Sequence, residues 1–190
     1  METNNQRKTP TVLVPYDFGP KAKTALQEAI KVADFIKGQI YLLSVLQTSN
    51  FFAELFKSEK QQREERRHVE NKLKEVILET RKTYHGNIRY IVEHGSPAEV
   101  ILEQAQIRNA QYIIMGKMSS TVSAFHFIGP LTMHIIASAP CPVITVSENS
   151  IENGRFDNIL LPIDLSKQTL EKINAAISWA KYYKSTVHLV

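Results

Sequence analysis

In the stretch MGKMSSTVSAFHFIGPLTMHIIASAPCPVITV, Met115 to Val146, glycines, hydroxyls and a proline are arranged in a way that bears on anion binding. Gly116 and Gly129 stand where a phosphate-gripping loop wants residues without a Cβ, because backbone N–H groups must point into a concavity that side chains would fill. Ser119 and Pro130 occupy positions where such a loop needs another glycine and a hydrogen-bond donor. Serine adds a Cβ, at a cost of roughly 1–2 kcal/mol where the backbone turns left-handed. Proline offers neither an N–H nor a hydroxyl. One hydrogen bond to a charged group is worth about 1.5–3 kcal/mol, so its loss weakens a triphosphate by roughly tenfold to a hundredfold. Thr132, one turn into the following helix, and the pair Ser119 and Ser120 are the hydroxyls that offset it. The plain alternative is a loop that only joins a strand to a helix.

Other reactive side chains are sparse. Asp17, in VPYDFG, is either a ligand contact or a turn-former that accepts a backbone hydrogen bond two residues on. His94 reads as a turn histidine without a partner, and His126 and His134 flank Gly129 with no carboxylate close in sequence, so no metal site is expected. Cys141, between Pro140 and Pro142, reads as core packing. The chain has no Gly-x-Ser-x-Gly elbow, no His-Glu-x-x-His and no Walker loop, so no catalytic residue is assigned.

These residues need elements to position them. Apolar, β-branched runs at Thr11–Pro15, Ile40–Val45, Ile88–Val92, Tyr112–Met115 and Val143–Val146 predict five strands. Between them, apolar residues at helical spacing predict helices over Lys21–Lys37, closed by Gly38, and over a long segment ending about Tyr84, with a loop at Gln47–Asn50. A third helix starts at Ser96, as capping residue, with Pro97 in its first turn, and a fourth covers Pro130–Ser138. Strands that alternate with helices give an α/β fold with a parallel sheet and right-handed crossovers. Ligands collect at the carboxyl ends of such strands, where the winding reverses.

The charge balance of +4 invites a nucleic-acid reading, but Glu59 to Glu70 alternates signs as a solvated helix face does, and no basic stripe carries interleaved aromatics. No nucleic-acid partner is expected. No apolar run is long enough for a membrane span, and METNNQRKTP lacks a leader's apolar core, so the expected location is cytoplasmic.

Residues 158–190 restate the opening of the chain. LPIDLS at Leu161–Ser166 echoes VPYDFG at Val14–Gly19, and without a gap Leu13, Pro15, Asp17, Ala29, Ala33 and Leu42 meet Leu160, Pro162, Asp164, Ala176, Ala180 and Leu189, 147 residues later. The spacing predicts an internal duplication. The division expected is a tail at 1–10, a domain at 11–147, a polar linker at 148–157 and an incomplete second repeat at 158–190, either the front of a longer two-domain protein or a tail completed on another molecule.

The motifs Val14-Pro15-Tyr16-Asp17, His94-Gly95-Ser96-Pro97, Ile113-Ile114-Met115-Gly116 and Ala139-Pro140-Cys141-Pro142-Val143 together resemble the universal stress protein family, in a tandem arrangement. The resemblance implies a doubly wound five-stranded parallel sheet of order 3-2-1-4-5 with helices on both faces, and dimers paired through the fifth strand. Many members hold ATP through glycine, two residues, glycine, nine residues, then glycine with serine or threonine. Here Gly116, Ser119, Gly129 and Pro130 keep the spacing and lose two identities. The resemblance also sets Asp17 near adenine and ribose and Val45 against adenine. The nucleotide-binding residues it implies are Pro15, Tyr16, Asp17, Val45, Met115, Gly116, Ser119, Gly129 and Thr132. The function implied is a non-catalytic cytoplasmic stress-response or regulatory protein with a degenerate adenine-nucleotide pocket, binding ATP with magnesium weakly if at all. The alternative is an ATP-binding, weakly hydrolysing switch. A third reading gives the pocket another anion or a small acid. The partner expected is a second copy, as a homodimer or higher oligomer through the fifth strand or the C-terminal tail.

Overall fold

A computed structural model describes residues 9–47, 58–116, 129–147, 156–163 and 169–190. The chain divides into two compact units, Met1–Glu148 and Asn149–Val190.

The first unit runs β1 (Thr11–Pro15), α1 (Pro20–Ile36), β2 (Gln39–Leu46), α2 (Glu59–Thr80), β3 (Asn87–His94), α3 (Pro97–Ile107), β4 (Ala110–Gly116), α4 (Pro130–Ser138) and β5 (Val143–Val146). The strands form one parallel sheet of order β3-β2-β1-β4-β5, the order expected. β1 has no polar face: Thr11 to Val14 are all buried, as a central strand covered on both sides requires. Leu13, Leu43, Ile113 and Met115 pack under Val100, Ile101, Ala105 and Ile135 of α3 and α4. The alternate residues Val12, Val14, Ile40 and Leu42 face the other side, with α1 and α2, and are fully buried. The winding reverses between β1 and β4, and that crevice opens at their carboxyl ends.

Local chemistry fixes the ends of the elements. α1 starts on Pro20 and stops where Lys37 turns left-handed, φ 54°. Ser58 and Gln61 form a capping box at the start of α2. The helix carries the exposed Arg63–Glu59 pair (2.7 Å) and the part-buried Arg66–Glu70 pair (3.2 Å). Arg66 also donates from Nη2 to the Val92 carbonyl at 2.8 Å, on the outer strand β3. α2 ends at Thr80, four residues short of the expected Tyr84: a turn follows, and the Tyr84 N–H bonds the Thr80 carbonyl at 2.9 Å while its ring stays buried. Ser96 sits at the N-cap of α3, but its side chain makes no capping hydrogen bond, contrary to the expectation.

The second unit contains β6 (Asn158–Leu161), α5 (Thr169–Tyr183) and β7 (Thr186–Leu189). Its strands pair in parallel from Asn158 with Thr186 to Leu161 with Leu189. In the first unit Thr11 to Val14 pair with Gln39 to Leu42, the same register 147 residues earlier. Lys184 turns left-handed at φ 57°, as Lys37 does. The Ser185 N–H bonds the Ala180 carbonyl (2.9 Å) where Gly38 bonds Ala33 (2.8 Å), and the Ile163 N–H bonds Val190 (2.8 Å) where Tyr16 bonds Leu43 (2.8 Å). Among the described residues, no helix is long and apolar enough to cross a membrane.

Candidate functional site

A cavity of about 290 Å³ opens at the carboxyl ends of β1, β2 and β4. Of the residues singled out from the sequence, Pro15, Tyr16, Asp17, Val45, Met115, Gly116, Gly129 and Thr132 line it. Ser119, with Ser120, His126 and Asp164, lies outside the described residues. His94 is exposed, in register with Leu46, and is not part of the lining. Cys141 packs half-buried against the core; burial pushes its thiol up, and a hydrogen bond with the Ile113 backbone opposes that. No group of three or more histidine, cysteine or carboxylate side chains able to hold a metal occurs among the described residues.

The turn after β1 sets one wall. The Gly19 N–H donates to Asp17 Oδ1 at 2.9 Å, so the aspartate is a turn-former here, and Phe18 is held at φ 68°, a left-handed conformation uncommon for an aromatic residue. The Phe18 ring meets Tyr16 edge-on with centroids 5.4 Å apart, and Lys72 Nζ lies 5.7 Å from the Phe18 centroid. Tyr16 is itself buried, and burial, then the Asp17 charge, raises its hydroxyl pKa above 10.0. Val45, Leu43 and Ile101 give the cavity an apolar side; buried Ser44 and Thr132 give it hydroxyls.

Three helix starts edge the cavity. α1, α3 and α4 each begin with proline at the first turn, at Pro20, Pro97 and Pro130, and none has a side-chain cap. Residues from the starts of all three line the cavity. Each helix amino terminus carries roughly half a positive charge. Thr132 is the third residue after the Gly129 N-cap, within the first turn of α4 rather than one turn in.

The sequence reading did not place Lys21, Ser44, Gln47 or Pro97 in the site. Lys21 enters through Gly116: a Cβ built on that glycine would lie 2.6 Å from the Lys21 carbonyl oxygen and Cβ. Glycine is required there because the first turn of α1 presses on the end of β4. The only sequence signal for Lys21 was its place behind Pro20 at a helix start.

The Universal stress protein family matches residues 8–147. A universal stress protein of Methanocaldococcus jannaschii is 24% identical over 156 residues, spanning 76% of this chain and 86% of that protein. Among solved structures, a universal stress protein from Archaeoglobus fulgidus superposes with a TM-score of 0.76 at 18% identity, over 94% of this chain and 65% of its own. Universal stress protein UspA from Lactobacillus plantarum gives 0.59 at 20% identity, over 73% of this chain and 98% of its own. A universal stress protein solved in complex with cAMP gives 0.53 at 14% identity, over 74% of this chain and 98% of its own. With the family match covering most of its length and the sheet order in agreement, the chain belongs to the universal stress protein family.

Proposed function

We propose that this protein is a non-catalytic stress-response regulator of the cytoplasm whose cleft takes an adenine nucleotide weakly. The observation that carries the reading is the cavity itself: apolar on the Val45 side, bearing Asp17, and edged by three uncapped helix starts. At about 290 Å³ it lies just under the usual range of small-molecule sites, about 300–1,000 Å³, and it seats a nucleotide with its phosphates toward the helix starts. A relative of the same fold has been solved in complex with cAMP. The weakness follows from Pro130, which opens α4 beside Gly129 without an N–H to offer. The non-catalytic part rests on the lining, where the ionisable side chains among the described residues are Tyr16, Asp17 and Lys21, with Asp17 engaged by its own turn.

Titration with ATP and magnesium tests the reading. Binding is expected well above the low micromolar range, and Pro130→Ser is expected to tighten it about tenfold by restoring a donor. Low-micromolar binding by the unaltered protein would overturn it.

The proposal extends to organisation. The unit at 158–190 is a second copy of the opening strand–helix–strand, supported by the shared register and shared hydrogen bonds, and by an Archaeoglobus superposition too long for the first unit alone. Self-association proceeds through the β5 edge or through this unit, where Leu160 and Val190 are each 69% exposed. Sedimentation as a monomer at high micromolar concentration, with β5 amides exchanging freely, contradicts it.

A further inference from the structure

We propose that Lys21 is the specificity-determining residue of the cleft, the side chain that makes it prefer a phosphorylated ligand to a neutral one; this rests on the nucleotide reading above. Lys21 is the one basic side chain among the described lining residues, and it is half-buried. Its ammonium has no ion-pair or hydrogen-bond partner among the described residues, while other lysines here, Lys31 and Lys82, sit on Glu28 and Glu79. The acid of the same cavity, Asp17, accepts from the Gly19 N–H and forms no ion pair with Lys21. A half-buried cation that the protein leaves without an ion pair is completed by an anionic ligand.

Its place is fixed by the backbone. The absent Cβ of Gly116 lets the first turn of α1 lie against the end of β4, so the root of Lys21 is anchored beside the position where the winding reverses. Pro20, immediately before it, presets the helical φ of that turn. Lys21 also compensates for chemistry that Pro130 removes: a point charge replaces a directional N–H. The exchange predicts a ligand held by charge more than by geometry, hence sensitive to ionic strength.

The test compares ATP, adenosine and inorganic tripolyphosphate on the unaltered protein, Lys21→Met and Lys21→Arg, at low and moderate salt, with thermal melting to confirm that each variant folds. Lys21→Met is expected to weaken ATP and tripolyphosphate about tenfold, to leave adenosine within a factor of two, and to flatten the salt dependence; Lys21→Arg is expected to recover most of the loss. Equal ATP affinity in the unaltered protein and Lys21→Met overturns the role of Lys21 and leaves the nucleotide reading standing. A parallel loss of ATP and adenosine overturns it too, since that marks a structural effect. If the unaltered protein binds tripolyphosphate but neither ATP nor adenosine, the nucleotide reading fails, and a loss in Lys21→Met still upholds the lysine as the anion contact. No binding of any of the three overturns both.

Discussion

The strand–helix–strand over Thr11–Leu42 and the one over Asn158–Leu189 share register, the left-handed cap and the hydrogen bonds that close each unit, yet they differ in what covers them. Leu13 is fully buried and its counterpart Leu160 is 69% exposed; Leu43 is 1% exposed and Val190 69%. The local geometry of this unit is thus set by its own sequence pattern, whereas its burial is supplied by neighbours. In the first unit those neighbours are β3 and β4 in the sheet and α3 and α4 above Leu13 and Leu43. Stability must therefore be distributed unequally between two pieces of nearly identical geometry.

Matched truncations separate the two units most. Leu13→Ala is expected to cost about 2–5 kcal/mol, and Leu160→Ala to stay within about 0.5 kcal/mol, both read by denaturant unfolding. Equal costs would mean that Leu160 is covered in solution. A smaller effect is expected at Gly116. Its added methyl meets the Lys21 backbone rather than a yielding side-chain tip, so Gly116→Ala is expected to lose about 1–3 kcal/mol by overpacking. An unchanged melting temperature would show that α1 gives way there.

The smallest effect concerns pH. Tyr16, whose counterpart Ile163 is exposed and carries no ionisable group, has its hydroxyl pKa raised by burial and then by Asp17; Tyr84 is raised by burial and then by Asp34. Because the folded values lie above 10.0, the unfolded chain releases these protons first. The stabilisation is complete below pH 10 and is lost as pH rises through the folded values. Tyr16→Phe is expected to flatten the alkaline decline in melting temperature, and a decline as steep as before would remove Tyr16 from the account.

Much of the first unit was legible because its strands are short apolar runs punctuated by turn residues. β1 and β5 match the expected bounds, and β2, β3 and β4 extend one or two residues further, where polar ends such as Gln39 and Asn87 still pair in register. Periodicity placed α2 but misjudged its end, since Tyr84 is buried from a turn and not from a helix. The candidate site was legible as far as motifs carry it, along the strand ends and at the start of α4. Lys21 was not, because its place depends on the contact between α1 and β4, whose partners Lys21 and Gly116 are far apart in sequence. The cap expected of Ser96 failed for a related reason: composition names a residue able to cap, and packing decides whether the side chain turns to do so.

The hydrogen bond from Arg66 to the Val92 carbonyl has a consequence for the margins of the sheet. β3 is an outer strand, and an outer strand advertises its backbone to any passing chain. With a guanidinium seated on one of those carbonyls, and the body of α2 tethered behind it, a newcomer must first dislodge a charged side chain. Lateral growth of this sheet is thereby discouraged at the β3 rim.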